Sequence, residues 1–234
     1  MLYQAVMADI SPRSLTDAAY AELRSRIVSL RIPPGGEFTE GGMAADLGLS
    51  KTPVREALAR LKFEGLVLVD PQVGYRASPV TIEDTRQAFA VRALLEGEAA
   101  RLAASRALPE GHLRTLDDLC RTSYVPSDPA SVDRFLVANT RFHLMIGHAS
   151  GNRRLERMLG VILPEMERLF RIGLLLSSRA DEIVHEHYDL VTAITTCDQE
   201  QAYQVAVAQV QASERMVLAA LMDSPQVSSL PIEL

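Results

Sequence analysis

Hydrophobic and polar positions follow a helical period over most of the chain. Near the N-terminus, Ser14 and Asp17 have the spacing of a capping box, which predicts the start of a helix. The apolar residues that follow recur every four positions, so this helix should bury one stripe. The stripe consists of Leu15, Ala19, Leu23 and Ile27. Residues 33–36 (Pro-Pro-Gly-Gly) cannot continue a helix, and we expect the helix to end before them.

Two shorter helices are predicted next. The pattern near residues 40–47 favours a second helix that ends at Gly48, because glycine readily takes the left-handed conformation of a helix C-cap. After a tight link we expect a third helix, with Thr52 as its N-cap and Pro53 at its first helical position. One face of this helix is apolar and another carries cations. The apolar face consists of Val54, Leu58 and Leu61, and the other of Arg55, Ala59 and Lys62.

A hairpin follows the third helix. Residues 66–69 are a short apolar run, residues 70–74 have turn composition, and residues 75–77 can return as a second strand. Two short helices joined by a tight turn, with cations at the start of the second, form a helix-turn-helix. The hairpin supplies its wing, so the first part of the chain is expected to bind DNA.

From residue 81 onward the pattern predicts helices alone. Residues 81–84 (Thr-Ile-Glu-Asp) form a capping box that opens a long helix rich in Ala and Leu. Helix-breaking residues divide the remainder into about six helices with short links, which favours an antiparallel bundle. Breaks are expected near Pro109 and near residues 126–129, 150–152, 177–178 and 197–198. The predicted fold class is therefore mainly α, an N-terminal winged helix-turn-helix plus a C-terminal antiparallel all-helical bundle.

These patterns divide the 234 residues into two domains and two tails. Two domains agree with the roughly 100–200 residues of a typical domain. We expect a flexible N-terminal tail at residues 1–10, the winged helix-turn-helix domain at residues 11–79, the helical domain at residues 80–223 and a C-terminal tail at residues 224–234.

Composition excludes several classes of protein. Only two cysteines occur, Cys120 and Cys197, and without a CxxC spacing they indicate neither a disulfide framework nor a structural zinc site. No apolar run approaches the ~20 residues of a membrane span, and the N-terminus has no export-signal pattern. We therefore expect a soluble cytoplasmic protein with no membrane partner.

The charge of the whole chain is −6, which is unusual for a protein that binds DNA. Residues 12–79 contain nine basic and eight acidic residues, a net charge of +1. Overall charge therefore neither supports nor excludes DNA binding, and the placement of individual cations must decide.

Several polar residues of the helical domain share faces with apolar residues. Burying polar groups costs free energy unless they find partners. Polar groups on different helices of one bundle suggest a shared cavity, which is the usual place for a ligand or metal site in a bundle. The residues are Arg92, Asn139, His143, His187 and Gln209.

The N-terminal segment resembles the GntR family of bacterial repressors. The carriers are Pro34-Gly35, the run Ser-Lys-Thr-Pro-Val-Arg-Glu-Ala-Leu at residues 50–58, Glu64-Gly65-Leu66 and Gly74. The resemblance implies that the start of the third helix and the wing contact DNA. The implied DNA-binding residues are Ser50, Lys51, Thr52, Arg55, Gly74 and Arg76. Arg55 can hold guanine O6 and N7 with two hydrogen bonds, while Lys51 and the hydroxyls hold phosphates.

The C-terminal segment resembles the FCD effector domain of the FadR subgroup. The carriers include Arg-Ala-Leu-Leu-Glu at residues 92–96, Arg-Phe-His at residues 141–143 and Ser-Gly-Asn at residues 150–152. In many relatives an Asp and three His bind a divalent metal that helps to hold a carboxylate effector. The corresponding positions here are Asn139, His143, His187 and Gln209. This chain therefore carries Asn in place of the Asp and Gln in place of the last His.

Three interpretations of these positions stay open. A divalent metal (Zn, Ni or Mn) could bind His143, His187 and Asn139, although zinc favours imidazole and charged ligands over neutral amides. Alternatively, both His and both amides hydrogen-bond the effector or a water in a metal-free pocket, or they satisfy one another inside the core. Arg92 is either a carboxylate clamp in the cavity or an exposed ion pair with Glu96.

The resemblance implies a regulator rather than an enzyme. We expect a homodimer that binds double-stranded operator DNA, by family default as a repressor, and whose affinity for the operator is controlled by a small organic acid in the helical effector-binding and dimerisation domain. Two alternatives are a regulator that no longer responds to an effector and a metal-dependent hydrolase. The hydrolase would need an acidic residue beside the His pair, and none occupies the corresponding positions.

Overall fold

The computed structural model describes residues 14–176 and 179–223. The predicted tails at residues 1–10 and 224–234, and the predicted break at residues 177–178, lie outside the described residues. The described chain consists of two compact units, and the boundary between them falls between Thr81 and Ile82.

From residue 14 onward, the first unit combines three helices with a three-stranded antiparallel sheet of order β1-β3-β2. Arg76 of β3 lies opposite Glu37 of β1 and Leu68 of β2. The elements in chain order are α1 (Leu15–Val28), β1 (Glu37–Phe38), α2 (Glu40–Leu47), α3 (Lys51–Phe63), β2 (Val67–Asp70) and β3 (Gly74–Ala77). The fold is the winged helix-turn-helix that the pattern predicts, and β1 adds a short strand that the pattern did not predict.

Helix termini are fixed by local hydrogen bonds. The Ser14 hydroxyl accepts from the Asp17 amide at the start of α1, and Thr39 caps α2 in the same way. Gly48 ends α2 with a φ of 64°, in the left-handed region. The predicted start of α3 was wrong, because Ser50 is the N-cap and the helix begins at Lys51. An extended backbone at Ser50 allows Thr52 to enter the first turn of the helix.

The core of the first unit is formed by side chains from all three helices and from the sheet. Leu23 of α1 and Val54, Leu58 and Leu61 of α3 are fully buried. Leu15 was predicted to lie on the buried stripe of α1, and this was wrong, since its side chain is 63% exposed. It occupies the first helical residue, where the stripe extends past the packed part of α1.

The second unit contains six helices within the described residues, as the pattern predicts. They are α4 (Ile82–Ala104), α5 (Glu110–Cys120), α6 (Pro129–Ala149), α7 (Arg153–Leu176), α8 (Ala180–Thr195) and α9 (Gln199–Asp223). No described helix is both long enough and apolar enough to span a membrane.

Helix α4 is the centre of this unit, since it packs chiefly along α9 and also contacts α6, α7 and α8. Gly97 permits its close approach to α9, because a Cβ there would lie 2.8 Å from the ring of Tyr203. Helices α4, α6, α8 and α9 each place at least one polar side chain in the interior of this unit.

Candidate functional site

Helix α3 presents a polar edge opposite its buried face. Ser50, Lys51, Thr52 and Arg55 are all exposed, whereas Val54 and Leu58 pack into the core. The first turn of the second helix in a helix-turn-helix is the part that reaches base edges in the major groove. The four predicted DNA-binding residues of α3 therefore lie together on an accessible surface.

Arg55 forms a two-pronged ion pair with Glu40, the first residue of α2. Its Nε donates to Glu40 Oε2 at 2.9 Å, and its Nη2 donates to Oε1 at 2.8 Å. The hydrogen bonds from Arg55 lower the pKa of Glu40 below its ordinary value. Nothing in the sequence predicts this pair, because the two residues are 15 positions apart and no periodicity connects them.

The wing brings Gly74 and Arg76 to the start and middle of β3. Gly74 has a φ of 115°, a conformation that favours glycine and allows the chain to turn back from β2. Arg76 Nη2 lies 2.7 Å from Glu37 and 2.9 Å from Asp70. Hydrogen bonds from the amides of Gln72 and Val73 lower the pKa of Asp70, so the turn keeps this carboxylate ionised beside Arg76.

A buried polar cluster lies inside the helical unit. All five predicted effector-binding side chains are buried: Arg92 on α4, Asn139 and His143 on α6, His187 on α8 and Gln209 on α9. The structure adds Glu96, which is also buried one turn after Arg92. The alternative prediction was an exposed ion pair between Arg92 and Glu96. The pair is present, but it is buried, so the predicted exposure was wrong.

Glu96 links Arg92 to His143. Arg92 Nε donates to Glu96 Oε1, and His143 Nδ1 lies 2.8 Å from Glu96 Oε2. His143 Nε2 lies 3.3 Å from Arg92 Nη2. Burial acts to raise the pKa of Glu96, but the charge of Arg92 and the contact with His143 outweigh it and lower the pKa to about 2. The cluster therefore contains an ionised carboxylate beside its guanidinium.

His187 and Gln209 form the other side of the cluster. The His187 ring stacks on Phe142 at 4.1 Å and meets the His143 ring edge-on at 5.4 Å. Burial, followed by the nearby His143, lowers the pKa of His187 well below its ordinary value. Gln209 Nε2 donates to the carbonyl of Glu186. Within the described residues, Arg92 Nη1, His187 Nδ1 and Gln209 Oε1 are buried without a hydrogen-bond partner.

The donor set does not fit the divalent metal that the resemblance implies. An arginine only donates, so the contact with Arg92 Nη2 takes the Nε2 lone pair of His143, and a cation already lies where a metal would bind. Asn139 and Gln209 are neutral amides, which are poor zinc ligands. The described part of the chain has no group of three or more His, Cys, Asp or Glu placed to hold a metal.

A winged helix-turn-helix and a helical bundle with a buried polar centre define a two-domain regulator that binds DNA. The model of the bacterial regulatory proteins of the gntR family matches residues 15–76, and the FCD domain model matches residues 87–212. The chain belongs to the GntR family of bacterial transcriptional regulators and carries an FCD domain. It is a regulator of transcription and not an enzyme, because its curated relatives are transcriptional regulators and its two domains are those of such regulators.

Individual relatives agree with this assignment. The chain is 30% identical to an uncharacterized HTH-type transcriptional regulator from Streptomyces ambofaciens, over 82% of this chain and 80% of that protein. It is also 30% identical to a probable D-xylose utilization operon transcriptional repressor from Paenarthrobacter nicotinovorans, over 74% and 75%. The solved structure of E. coli McbR/YncC shares the fold, with a TM-score of 0.73 at 23% identity over 89% of this chain and 99% of that one.

Proposed function

We propose that this regulator is a homodimeric repressor whose affinity for operator DNA is controlled by a small carboxylate bound in the polar cluster of the helical unit. The observation that carries the proposal is the set of unpartnered polar atoms there: Arg92 Nη1, His187 Nδ1 and Gln209 Oε1. Leaving a buried polar group without a partner costs about 1–3 kcal/mol. A ligand that pairs with these atoms would recover that free energy.

The ligand is held by hydrogen bonds rather than by a metal. Arg92 Nη1 can donate to a carboxylate oxygen, and a guanidinium matches carboxylates well. Because Glu96 already balances the charge of Arg92, a second carboxylate needs further donors. His187 Nδ1 can supply one, and Gln209 Oε1 can accept from a hydroxyl or ammonium group on the ligand. Asn139 is also buried on α6, one turn before His143.

DNA binding is proposed to use Ser50, Lys51, Thr52 and Arg55 of α3 in the major groove, with Gly74 and Arg76 of the wing beside it. Two copies related by a two-fold axis would read the two halves of a pseudopalindrome. A ligand shifts an equilibrium only by as much as it binds one state better than another. The acid is therefore expected to bind better to a state of the dimer that holds DNA weakly, which gives release from the operator.

Thermal unfolding with a panel of small carboxylates tests the proposal. An acid at about 100 times its Kd stabilises the protein by about 2.7 kcal/mol, which corresponds to about 5–10 °C in Tm for a protein of this size. The same acid should weaken binding to a duplex selected with this protein from a random-sequence pool. A panel without any Tm shift would favour the regulator that no longer responds to an effector.

Variants identify the pocket. His187→Phe keeps an aromatic ring against Phe142 and Gln209→Leu keeps the volume of the side chain, so both should fold. Each is expected to remove the Tm shift caused by the acid while leaving the affinity for DNA unchanged. Arg101→Ala, in an exposed pair with Glu98 on α4, is the matched control and should respond as the wild-type protein does. A normal response in both pocket variants would place the acid elsewhere.

A further inference from the structure

The ion pair between Arg55 and Glu40 occupies one edge of the guanidinium. A guanidinium carries five N–H donors in a planar fork. Glu40 takes one donor from Nε and one from Nη2, at 2.9 and 2.8 Å. The remaining donors are two on Nη1 and one on Nη2, along the end of the side chain. Arg55 is 65% exposed and Glu40 is 17% exposed, so the arginine extends outward from a more buried carboxylate.

The edge that remains is the one that fits guanine. Two parallel N–H donors on Nη1 and Nη2 match the O6 and N7 acceptors of a guanine in the major groove, the commonest specific contact between proteins and DNA. The adjacent edge, on Nε and Nη2, is closed by Glu40. The pair therefore does not consume the base-reading capacity of Arg55, and it selects which edge of the guanidinium is presented.

Glu40 is itself held in place. It is the first residue of α2, and Thr39 caps that helix by accepting from the Gly42 amide. A carboxylate in the first turn of a helix is favoured by the partial positive charge there. Lys51, at the start of α3, adds a second favourable charge near Glu40. A fixed carboxylate gives a long, flexible arginine one orientation before DNA is bound.

We propose that Glu40 is a positioning and specificity-determining residue, which holds the Arg55 guanidinium as a fork toward one base and keeps it from the phosphates. The proposal rests on the proposed contact between Arg55 and a base. Ordering a side chain in advance reduces the entropy that is lost when it binds. The negative charge of Glu40 also repels phosphates, which weakens binding to DNA of any sequence.

Arg60 on the same helix shows the contrasting arrangement. Its guanidinium lies over the Tyr20 ring at 3.6 Å and pairs with Glu64 at 3.4 Å. This arginine packs against α1 along the flat face of its guanidinium. Arg55 lies on no aromatic ring among the described side chains and extends from the surface of α3. The Glu40 pair is thus the contact that gives Arg55 its orientation.

The test uses the full-length protein and DNA. A duplex is selected from a random-sequence pool with the wild-type protein, and Kd is measured for this duplex and for a scrambled duplex of equal length. We expect Glu40→Gln to reduce the ratio of the two affinities about tenfold, within the range for one bidentate base contact. Selection repeated with Glu40→Gln should lose base preference at one position of each half-site, the same position that Arg55→Ala loses.

Three comparisons make the outcome decisive. Asp46→Asn removes one carboxylate from the same helix and one surface pair with Arg26, and it should keep the wild-type ratio. The double variant of Glu40→Gln with Arg55→Ala should lose no more specificity than Arg55→Ala alone. Tm is measured for each variant, and Arg55→Lys, which keeps the charge but lacks the fork, should give the same loss of base preference without altering α2.

The possible results separate the two proposals. Tighter binding of Glu40→Gln to the selected duplex with an unchanged affinity ratio would mean that Glu40 only competes with DNA, and this overturns the positioning role. An equal loss in Asp46→Asn would overturn it as well, since charge alone would then explain the effect. An unchanged base preference in Arg55→Ala would instead contradict the proposed contact of Arg55 with a base, whatever Glu40 does.

Discussion

Two arginine–glutamate pairs, one in each unit, use the same chemistry in opposite environments. Arg55 and Glu40 meet on the surface of the winged helix-turn-helix, where the arginine is 65% exposed. Arg92 and Glu96 meet inside the helical unit, where their side chains are 1% and 4% exposed. Water competes for the first pair and is excluded from the second. The difference in burial decides whether the remaining donors of the arginine face solvent or the protein interior.

The energetic consequences differ accordingly. An exposed ion pair contributes little to stability because water screens it, so the Arg55–Glu40 pair orients the guanidinium without being needed for the fold. A buried pair that loses one partner leaves an uncompensated charge, which costs about 3–5 kcal/mol. Arg92 is thus committed to Glu96, and the proposed acid would have to use the buried donors that Arg92 has left. Arg55 keeps Glu40 in the same way, but its remaining donors are exposed and available to a base.

The largest effect is expected for Arg92→Ala. Removing the guanidinium leaves the Glu96 carboxylate buried with His143 alone and also removes the contact of Arg92 over the Phe170 ring at 4.7 Å. The free energy of unfolding should fall by about 3–5 kcal/mol, measured by urea unfolding followed by circular dichroism. Arg101→Ala breaks a solvent-accessible pair on the same helix and should cost far less, because water screens such a pair. Equal losses would mean that burial does not distinguish the pairs.

The next effect is expected for Arg55→Ala, and it concerns binding rather than stability. One bidentate contact with a base discriminates by about 1–3 kcal/mol, so affinity for the selected duplex should fall about tenfold or more. The Tm should change little, because Arg55 is exposed, and affinity for a scrambled duplex should fall by a smaller factor, because only the charge of Arg55 acts there. Fluorescence anisotropy gives both affinities. A variant that lost stability and kept its specificity would reverse the comparison with Arg92.

Most of the fold follows from local signals. The capping box at Ser14, the left-handed Gly48 and the helix breaks of the second unit act within a few residues, and sequence pattern predicts such features well. Strand β1 is two residues long and has no periodicity to detect. The N-cap of α3 was misplaced by two residues because Ser50 and Thr52 are both good caps. Ser50 caps the helix with an extended backbone and makes no side-chain capping hydrogen bond.

The candidate sites depend more on tertiary contacts than on local signals. The five polar residues of the buried cluster share faces with apolar residues, so their burial could be predicted. Glu96 was visible in the sequence at four residues from Arg92, but this spacing is equally typical of exposed pairs. Burial of a complete ion pair depends on the helices that cover it. Glu40 and Arg55 gave no signal, because the tight turn between α2 and α3 alone brings them together.

The pH dependence of stability tests whether the buried cluster is isolated from solvent. Burial keeps the pKa of His187 well below its ordinary value, so the folded protein binds its proton less readily than the unfolded chain does. The contribution of His187 to the free energy of unfolding should therefore be fully present above about pH 6.5. It should fall as the pH decreases below that value, by at most about 1.4 kcal/mol per pH unit. Urea unfolding from pH 8 to pH 5 measures this slope.

The matched variants are His187→Phe and His185→Gln. The first removes the buried ring nitrogens and should flatten the slope below pH 6.5, while the second removes an exposed histidine of the same helix and should keep the wild-type slope. A slope that persists in His187→Phe would assign the acid sensitivity to other groups. The cluster would then be less isolated than its burial indicates.

The smallest effect is expected for Arg76→Ala. The exposure of Arg76 lies between those of Arg55 and Arg92. Arg76 is half-exposed, and its Nη2 contacts the carboxylates of both Glu37 and Asp70. Two carboxylates on one nitrogen hold Arg76 along the sheet and leave it less able than Arg55 to present a fork to a base. We therefore expect a contact with phosphate, so that Arg76→Ala weakens binding to selected and scrambled duplexes by the same factor. The slope of log Kd against log salt should decrease by about 1.

The control is Arg31→Ala, which removes an exposed arginine paired with Glu22 and should leave that slope unchanged. A loss of base preference in Arg76→Ala would contradict this prediction. It would show that two carboxylates do not prevent an arginine from contacting a base.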